Sequence, residues 1–347
     1  MALSVTSTGF RWMTRMFLVL GLLLLIAAPI LRYWVTPGLA QSPLAPGGDG
    51  FLTHVSTGTI TTLFDLETAE GSSGEQPIPV TRTQSTRAEA AGTQEADDAG
   101  FNAAVTTTTD RTVTADGRLI ADSEYTLAAD RHSQALIDCC GVQVGGVPVT
   151  TAGAGSPLRL PWFTPQEPYP YYDVTLLAPV DMTPIGDEEV GGIAAMKFQQ
   201  AGVPVAIGTV QVPGRLTGSE APIVPLVRTR VVNRTIWADP TTGIVLRNVE
   251  RVRESLRDST GRDVVTLIVM TTASTPEQVD AQVAAARDEG LEVLWTYTYG
   301  PALSAAIGLL LLLLGLAGLI VRMRAERVDE DFPDQLASFD DLKEAFD

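Results

Sequence analysis

Two blocks of the chain are apolar without interruption. Residues 16–31, MFLVLGLLLLIAAPIL, carry no charge, and neither do residues 302–321, ALSAAIGLLLLLLGLAGLIV. At ~1.5 Å per residue the second block forms a helix ~30 Å long, enough to cross a bilayer. The first reaches that length when it is extended through Tyr33, Trp34 and Val35, with Arg32 snorkelling to the headgroups. Tyr33 and Trp34 after the first block, and Trp295, Tyr297 and Tyr299 before the second, are residue types that gather at a membrane interface. Arg11 and Arg15 precede the first block, and Arg322, Arg324 and Arg327 follow the second. The positive-inside rule then predicts both termini in the cytoplasm and a two-pass protein of the plasma membrane. The expected divisions are a cytoplasmic N-terminus (1–15), a first span acting as signal anchor (16–35), an extracytoplasmic domain (36–300), a second span (301–321) and a cytoplasmic acidic tail (322–347). Cleavage of the first block as a signal peptide is the alternative, since PGLAQS places Gly38 and Ala40 ahead of a usable cut.

Between the blocks the pattern changes to short runs rich in Thr and Val, separated by turn residues. This predicts strands over 51–64, 78–86, 102–114, 118–130, 172–177, 195–200, 205–212, 224–239, 243–253 and 263–272. Asp116-Gly117 predicts a hairpin. ADPTTGI (238–244) predicts another, with Asp239 capping the turn and Gly243 supplying a positive φ. One helix is expected outside the membrane, over 274–290. Thr275 is its N-cap, Pro276 its first residue, Gln278 the partner in a capping box and Gly290 its C-terminal cap. Val279, Val283 and Ala286 would form its apolar stripe. Residues 67–100, poor in large apolar side chains, read as a loop broken by one strand. Residues 157–170, PLRLPWFTPQEPYP, are too proline-rich for a central strand, and read as a packed crossing loop or the rim of a groove. The fold class is mainly β (α+β). It comprises an antiparallel β-barrel-like or sandwich ectodomain between two transmembrane α-helices, with one short amphipathic helix before the second span.

Charge narrows the function. Of the 24 bases and 41 acids, residues 1–35 hold three bases and no acid, and residues 322–347 hold four bases and nine acids. The region between therefore keeps 17 bases and 32 acids, a net charge of −15. That surface repels nucleic acid. No nucleophile elbow, P-loop or dinucleotide fingerprint occurs, and the two histidines, His54 and His132, are not set beside a nucleophile in sequence. No catalysis and no cofactor are expected. Asp130, His132, Asp138, Cys139 and Cys140 form the best metal candidate. Adjacent cysteines on a strand point to opposite faces and suit zinc poorly, so no metal is assigned.

The strand at 263–272 departs from simple alternation. Residues 264–270 are apolar on both faces, so both faces must be covered. A sandwich core or a packed helix would do this, and so would an apolar groove for acyl chains. On the second reading Val265, Leu267 and Val269 line the groove, and Trp162 and Phe163 stand at its rim. The tail segment FPDQLASFDDLKEAF can form an amphipathic helix for contact with envelope-synthesis proteins.

Three segments carry a family resemblance. IDCCG (137–141), YPYYDVTL (169–176) and TIWADPTTGIVL (235–246), between two spans, resemble the porin PorA-like family of actinobacterial envelope proteins. Members of that family are connected with synthesis or transport of lipoglycans, so the resemblance implies a membrane lipid or lipoglycan as partner. The layout is also similar to that of the class B scavenger receptors, which implies an apolar tunnel. The porin label fits the sequence poorly, because a pore needs a long alternating barrel or an amphipathic spanning helix. The sequence thus gives a lipid-binding envelope protein, with a scaffold for envelope-synthesis machinery and a pore component as alternatives.

Cys139 and Cys140 are the only cysteines in the chain. Outside the cytoplasm disulfides persist, and within one chain these two can pair only with each other. Neighbouring Cα atoms lie ~3.8 Å apart across a trans peptide, shorter than the usual span of a disulfide. An oxidised vicinal pair in a tight turn, a reduced and partly buried pair, and a metal ligand pair all remain open.

Overall fold

The computed structural model describes residues 8–44, 51–66, 70–151 and 153–331. The tail segment proposed as a partner contact lies outside these residues. The chain forms two compact units, one of residues 1–39 with 291–347 and one of Ala40–Gly290.

The first unit is helical. Helix α1 (Thr8–Ile30) passes into a π-helical turn at Leu31–Val35 and a last short turn, α2 (Thr36–Leu39). A second π-helical turn at Trp295–Tyr299 precedes a long terminal helix that runs from Gly300 to Asp331. Both helices are long and apolar enough to cross a membrane. They pack through small residues. A Cβ on Gly21 would lie 2.8 Å from the Gly308 carbonyl oxygen, and one on Gly315 would lie 2.7 Å from Leu18. Glycine here lets the two backbones approach, the usual device for helix pairs that gain nothing from hydrophobic burial in lipid. Leu22, Leu23, Leu310 and Leu313 stay exposed around that seam. Tyr33, Trp34, Trp295 and Tyr299 are exposed on the π-helical turns. Arg32 does not extend freely. Its Nη2 donates to the Tyr297 hydroxyl at 3.2 Å, and its guanidinium stacks 4.4 Å from that ring.

The second unit is a curled antiparallel sheet with helices against it. In chain order it contains β1 (Phe51–Asp65), β2 (Glu70–Ala88), α3 (Ala90–Asp98), β3 (Ala103–Thr114), β4 (Leu119–Asp130), β5 (Leu136–Ile137), β6 (Gln143–Val144) and β7 (Val147–Pro148). Then follow β8 (Tyr169–Asp173), β9 (Ala178–Val190), β10 (Ile193–Gln200), β11 (Val205–Pro213), β12 (Ile223–Ala238), β13 (Val245–Arg257), β14 (Asp263–Ser274) and α4 (Pro276–Leu294). The strand order is β7-β6-β4-β3-β2-β1-β14-β13-β12-β10-β9-β8, with β11 on β12 and β5 on β4. The sheet is sandwich-like and not closed into a barrel. Among the described residues, isolated bridges at Gly155, one to Ala135 and one to Tyr171, link its two ends. Gly155 is required there, because a Cβ would fall 2.1 Å from the Tyr169 ring.

Both predicted hairpins form, and their turn chemistry is visible. Gly117 has φ +85°, and Gly243 has φ +74°. Asp239 Oδ2 accepts from the Thr242 amide at 2.8 Å and from its hydroxyl at 2.7 Å. Two expectations need correction. Residues 67–100 are not mainly loop, since the strand expected at 78–86 extends over Glu70–Ala88 as β2, pairing with both β1 and β3, and α3 follows it. The strand reads as polar because it faces a polar interior. Thr86 shares a hydrogen bond with the buried Thr108 hydroxyl at 2.9 Å, and Arg82 meets Asp110. Small residues on α3 let it lie on β3, with Ala96 buried and Gly92 close to Val105.

The second correction concerns α4. Its N-cap forms as predicted, with the Gln278 amide donating to Thr275 Oγ1 at 3.2 Å. Its apolar stripe also packs, Val283 and Ala286 joining Trp237, Ile244 and Leu246. The capping box is only half made, because the Gln278 side chain turns to β1 instead. Nor does Gly290 end the helix, which continues to Leu294.

Candidate functional site

A cavity of about 390 Å³ opens in the second unit. Its apolar wall comes from Leu52 on β1, Ala104 on β3, Leu127 and Ala129 on β4, Ile244 in the β12–β13 turn and Ala285 on α4. Leu158 of the proline-rich loop adds to it. The space exists because alanine stands where a large side chain would fill it. Ala104 and Ala129 are direct partners across the β3–β4 ladder. Strand alternation puts Leu127 and Ala129 on one face. Arg131, Arg159, Asp288 and Glu289 also line the cavity, with Arg159 Nη2 bonded to Glu289 at 2.8 Å. The volume lies in the range of small-molecule sites.

A smaller polar chamber of about 70 Å³ adjoins the first. His54, Leu158 and Gln282 line both. Its wall contains a buried ionic network. Glu250 accepts from Arg82 Nη1 at 2.9 Å and from Arg234 Nε at 2.7 Å. Arg82 also holds Asp110 at 2.6 Å, and Arg234 reaches Asp173 at 3.2 Å and Gln200 at 3.0 Å. Register explains the cluster. Arg234 and Glu250 are cross-strand partners on β12 and β13, while Arg82 and Asp110 lie on the neighbouring β2 and β3. Burial pushes the Glu250 carboxyl up, but Arg234 and Arg82 outweigh it and hold the group at about 2. Burial lowers both guanidiniums, and their carboxylate partners more than reverse that, so both are raised. Burial pushes the Tyr171 hydroxyl, under the Arg234 guanidinium, up to about 12.

Burial disfavours the charged form of His54 and lowers its pKa. Gln278 fixes its tautomer. The Gln278 Oε1 accepts from the Val55 amide at 3.1 Å, so its Nε2 donates to His54 Nδ1 at 3.1 Å. Neutral imidazole carries one proton, which must then sit on Nε2. Across the polar chamber, the buried Asn248 Oδ1 has no hydrogen-bond partner.

The residues expected to form an acyl groove lie elsewhere. Leu267 is buried in a packed cluster with Val212, Leu226 and Leu256, and Val265 packs against it. Val269 pairs with Arg253 on β13 and Thr62 on β1. Neither face of β14 borders the cavity, because neighbouring side chains fill the space beside it. Trp162 is not at a rim. It is buried beneath Arg159, whose guanidinium lies 4.3 Å from the ring. Phe163 follows with φ +54° and its amide donates to Thr241 O at 2.9 Å. The same loop reaches the cavity through Ser156, Leu158 and Arg159.

The metal candidate is dispersed. Asp130 Oδ1 accepts from the Ser133 amide at 2.7 Å, His132 Nδ1 bonds Ala40 O at 2.7 Å, and Asp138 accepts from Thr151. Cys139 and Cys140 are joined by a disulfide. Cys140 and Gly141 both have positive φ, at +61° and +80°, so the chain turns sharply there. The pair packs against the cluster of Val105, Leu127 and Leu136. Alkylation of unreduced protein is therefore expected to add no label to either cysteine by intact mass. Two added labels would show the bond absent.

Comparison with known proteins places the chain more widely. A family model described as Porin PorA matches residues 14–317. No curated protein matches the sequence. Among solved structures, one crystal structure from Bacteroides fragilis, described as an exported protein with a YmcC-like fold, aligns at 7% identity. It covers 64% of this chain and 93% of its own, with a TM-score of 0.19. That score is too low to establish a common fold.

Proposed function

The chain belongs to the Porin PorA family of envelope proteins, and from that premise we propose that its second unit holds the acyl chain of a membrane lipid or lipoglycan. No catalytic step is involved. The observation that carries this reading is the cavity of about 390 Å³, apolar on the wall built by β1, β3, β4 and α4. Acyl chains gain roughly 25 cal/mol for each Å² removed from water, so an apolar recess of ligand size is a favourable host. The two spans anchor the chain at the membrane that supplies the ligand. Both termini face the cytoplasm on this reading, with Tyr33, Trp34, Trp295, Tyr297 and Tyr299 at the outer interface. Binding is favoured over conduction because the sheet is open and carries buried arginines and carboxylates, whereas a pore needs a closed barrel with a lipid-facing band.

A photoactivatable fatty acid offered to the full-length protein in nanodiscs tests this. Labelled peptides are expected from residues 103–130 and 276–290, in addition to the spans. Labels confined to the two spans would reduce the contact to ordinary membrane lipid and overturn the reading.

A further inference from the structure

We propose, resting on the reading above, that the polar chamber selects an uncharged ligand head with a hydroxyl hydrogen-bond donor. The chamber opens beside the apolar cavity, with His54, Leu158 and Gln282 common to both, so a chain in one places its head in the other. Charge decides the class of that head. Two guanidiniums, Arg82 and Arg234, face three carboxylates, Asp110, Glu250 and Asp173, all of them buried except the half-buried Arg82. Arg82, Arg234 and Glu250 line the chamber, and Asp110 and Asp173 back the two arginines; the five together are net negative by one, so the cluster holds no surplus positive charge for a phosphate or carboxylate head.

An ammonium head fares no better, because the carboxylate oxygens are already engaged. Both Glu250 oxygens accept from arginine. Asp110 accepts from Arg82 and Gln84. Asp173 accepts from Thr175, Leu176 and Arg234. Among the described residues, the chamber wall includes Asn248, whose side-chain oxygen Oδ1 is buried and without a partner. Such an atom costs stability unless a donor reaches it. The proton on His54 Nε2, fixed by Gln278, adds a donor on a side chain lining both chambers. One acceptor and one donor match a hydroxyl, which gives one hydrogen bond and receives another.

Three probes of one chain length test the head: hexadecanol, its methyl ether and palmitate. Each is offered separately to the full-length protein in nanodiscs, and the retained probe is measured. Hexadecanol is expected to be retained about tenfold better than either of the others, the effect of leaving a buried acceptor unpaired. Asn248→Leu is expected to abolish the preference over the ether while the ether itself still binds, which also reports that the variant is folded. Equal retention of alcohol and ether, or a preference for palmitate, would overturn the proposal about the head and leave acyl binding standing. Retention of none of the three would overturn both.

Discussion

Glu250→Ala is expected to destabilise the protein by about 3–5 kcal/mol, the usual result of removing one partner from a buried ionic cluster. Glu250 is buried between the guanidiniums of the buried Arg234 and the half-buried Arg82, and takes hydrogen bonds from both. Its loss leaves Arg82 with Asp110 alone, and Arg234 with Asp173 at the longer distance of 3.2 Å. The variant also loses the tie between β2 and β12 through β13. Urea unfolding followed by tryptophan fluorescence measures this, and a midpoint equal to that of the parent would contradict it.

The same carboxylate gives a pH dependence. Its native pKa, about 2, lies below its ordinary value of 4.5, so the unfolded chain binds the proton more readily. Stability from this group is therefore complete above about pH 4.5 and is lost as the pH falls toward 2. The difference is worth about 3 kcal/mol. The Glu250→Gln variant should lose most of this dependence.

Filling the cavity is expected to have the largest effect on binding. Ala129→Trp and Ala285→Trp place an indole in the recess from β4 and from α4. Both alanines are only partly buried, so the added volume enters open space rather than a packed core. Labelling of residues 103–130 by the photoactivatable fatty acid should fall at least tenfold, a loss of about 1.4 kcal/mol or more. The unfolding midpoint should move little. Leu267→Asp is a different experiment. Leu267 packs against Val212, Leu226 and Leu256, so a charge there unfolds the unit instead of emptying a ligand site.

The outcome shows which physical signals a sequence carries openly. The two long apolar helices were legible because uninterrupted apolar runs of that length have few other uses. The 116–117 and 238–244 turns were legible because Gly, Asp and Pro act through local backbone geometry. Residues 78–86 of β2 were legible as a strand, but its start at Glu70 was not, because EGSSGEQ is poor in strand-forming side chains. The cavity was hidden for a related reason. A recess is made by side chains that are small, and Ala104, Ala129 and Ala285 look like ordinary spacing until the ladder pairs two of them. The paired alanines in FNAAVTTTT and TLAAD were the available hint, since buried strands favour larger residues. Strand β14, apolar on both faces, suggested a groove, but Leu267 and Val265 pack in a core cluster, and double burial in a core gives the same pattern. Gln278 misled in a smaller way, serving His54 and Val55 where spacing alone suggested a cap.

The second unit is expected to carry an acyl ligand. Native mass spectrometry of the full-length protein, ejected directly from membrane vesicles, tests it most directly. The account predicts a population heavier than the chain by one lipid. That population should persist at collision energies that strip annular lipid, and be absent from Ala129→Trp/Ala285→Trp. A bare chain at those energies, or an adduct unchanged in the filled variant, would contradict it.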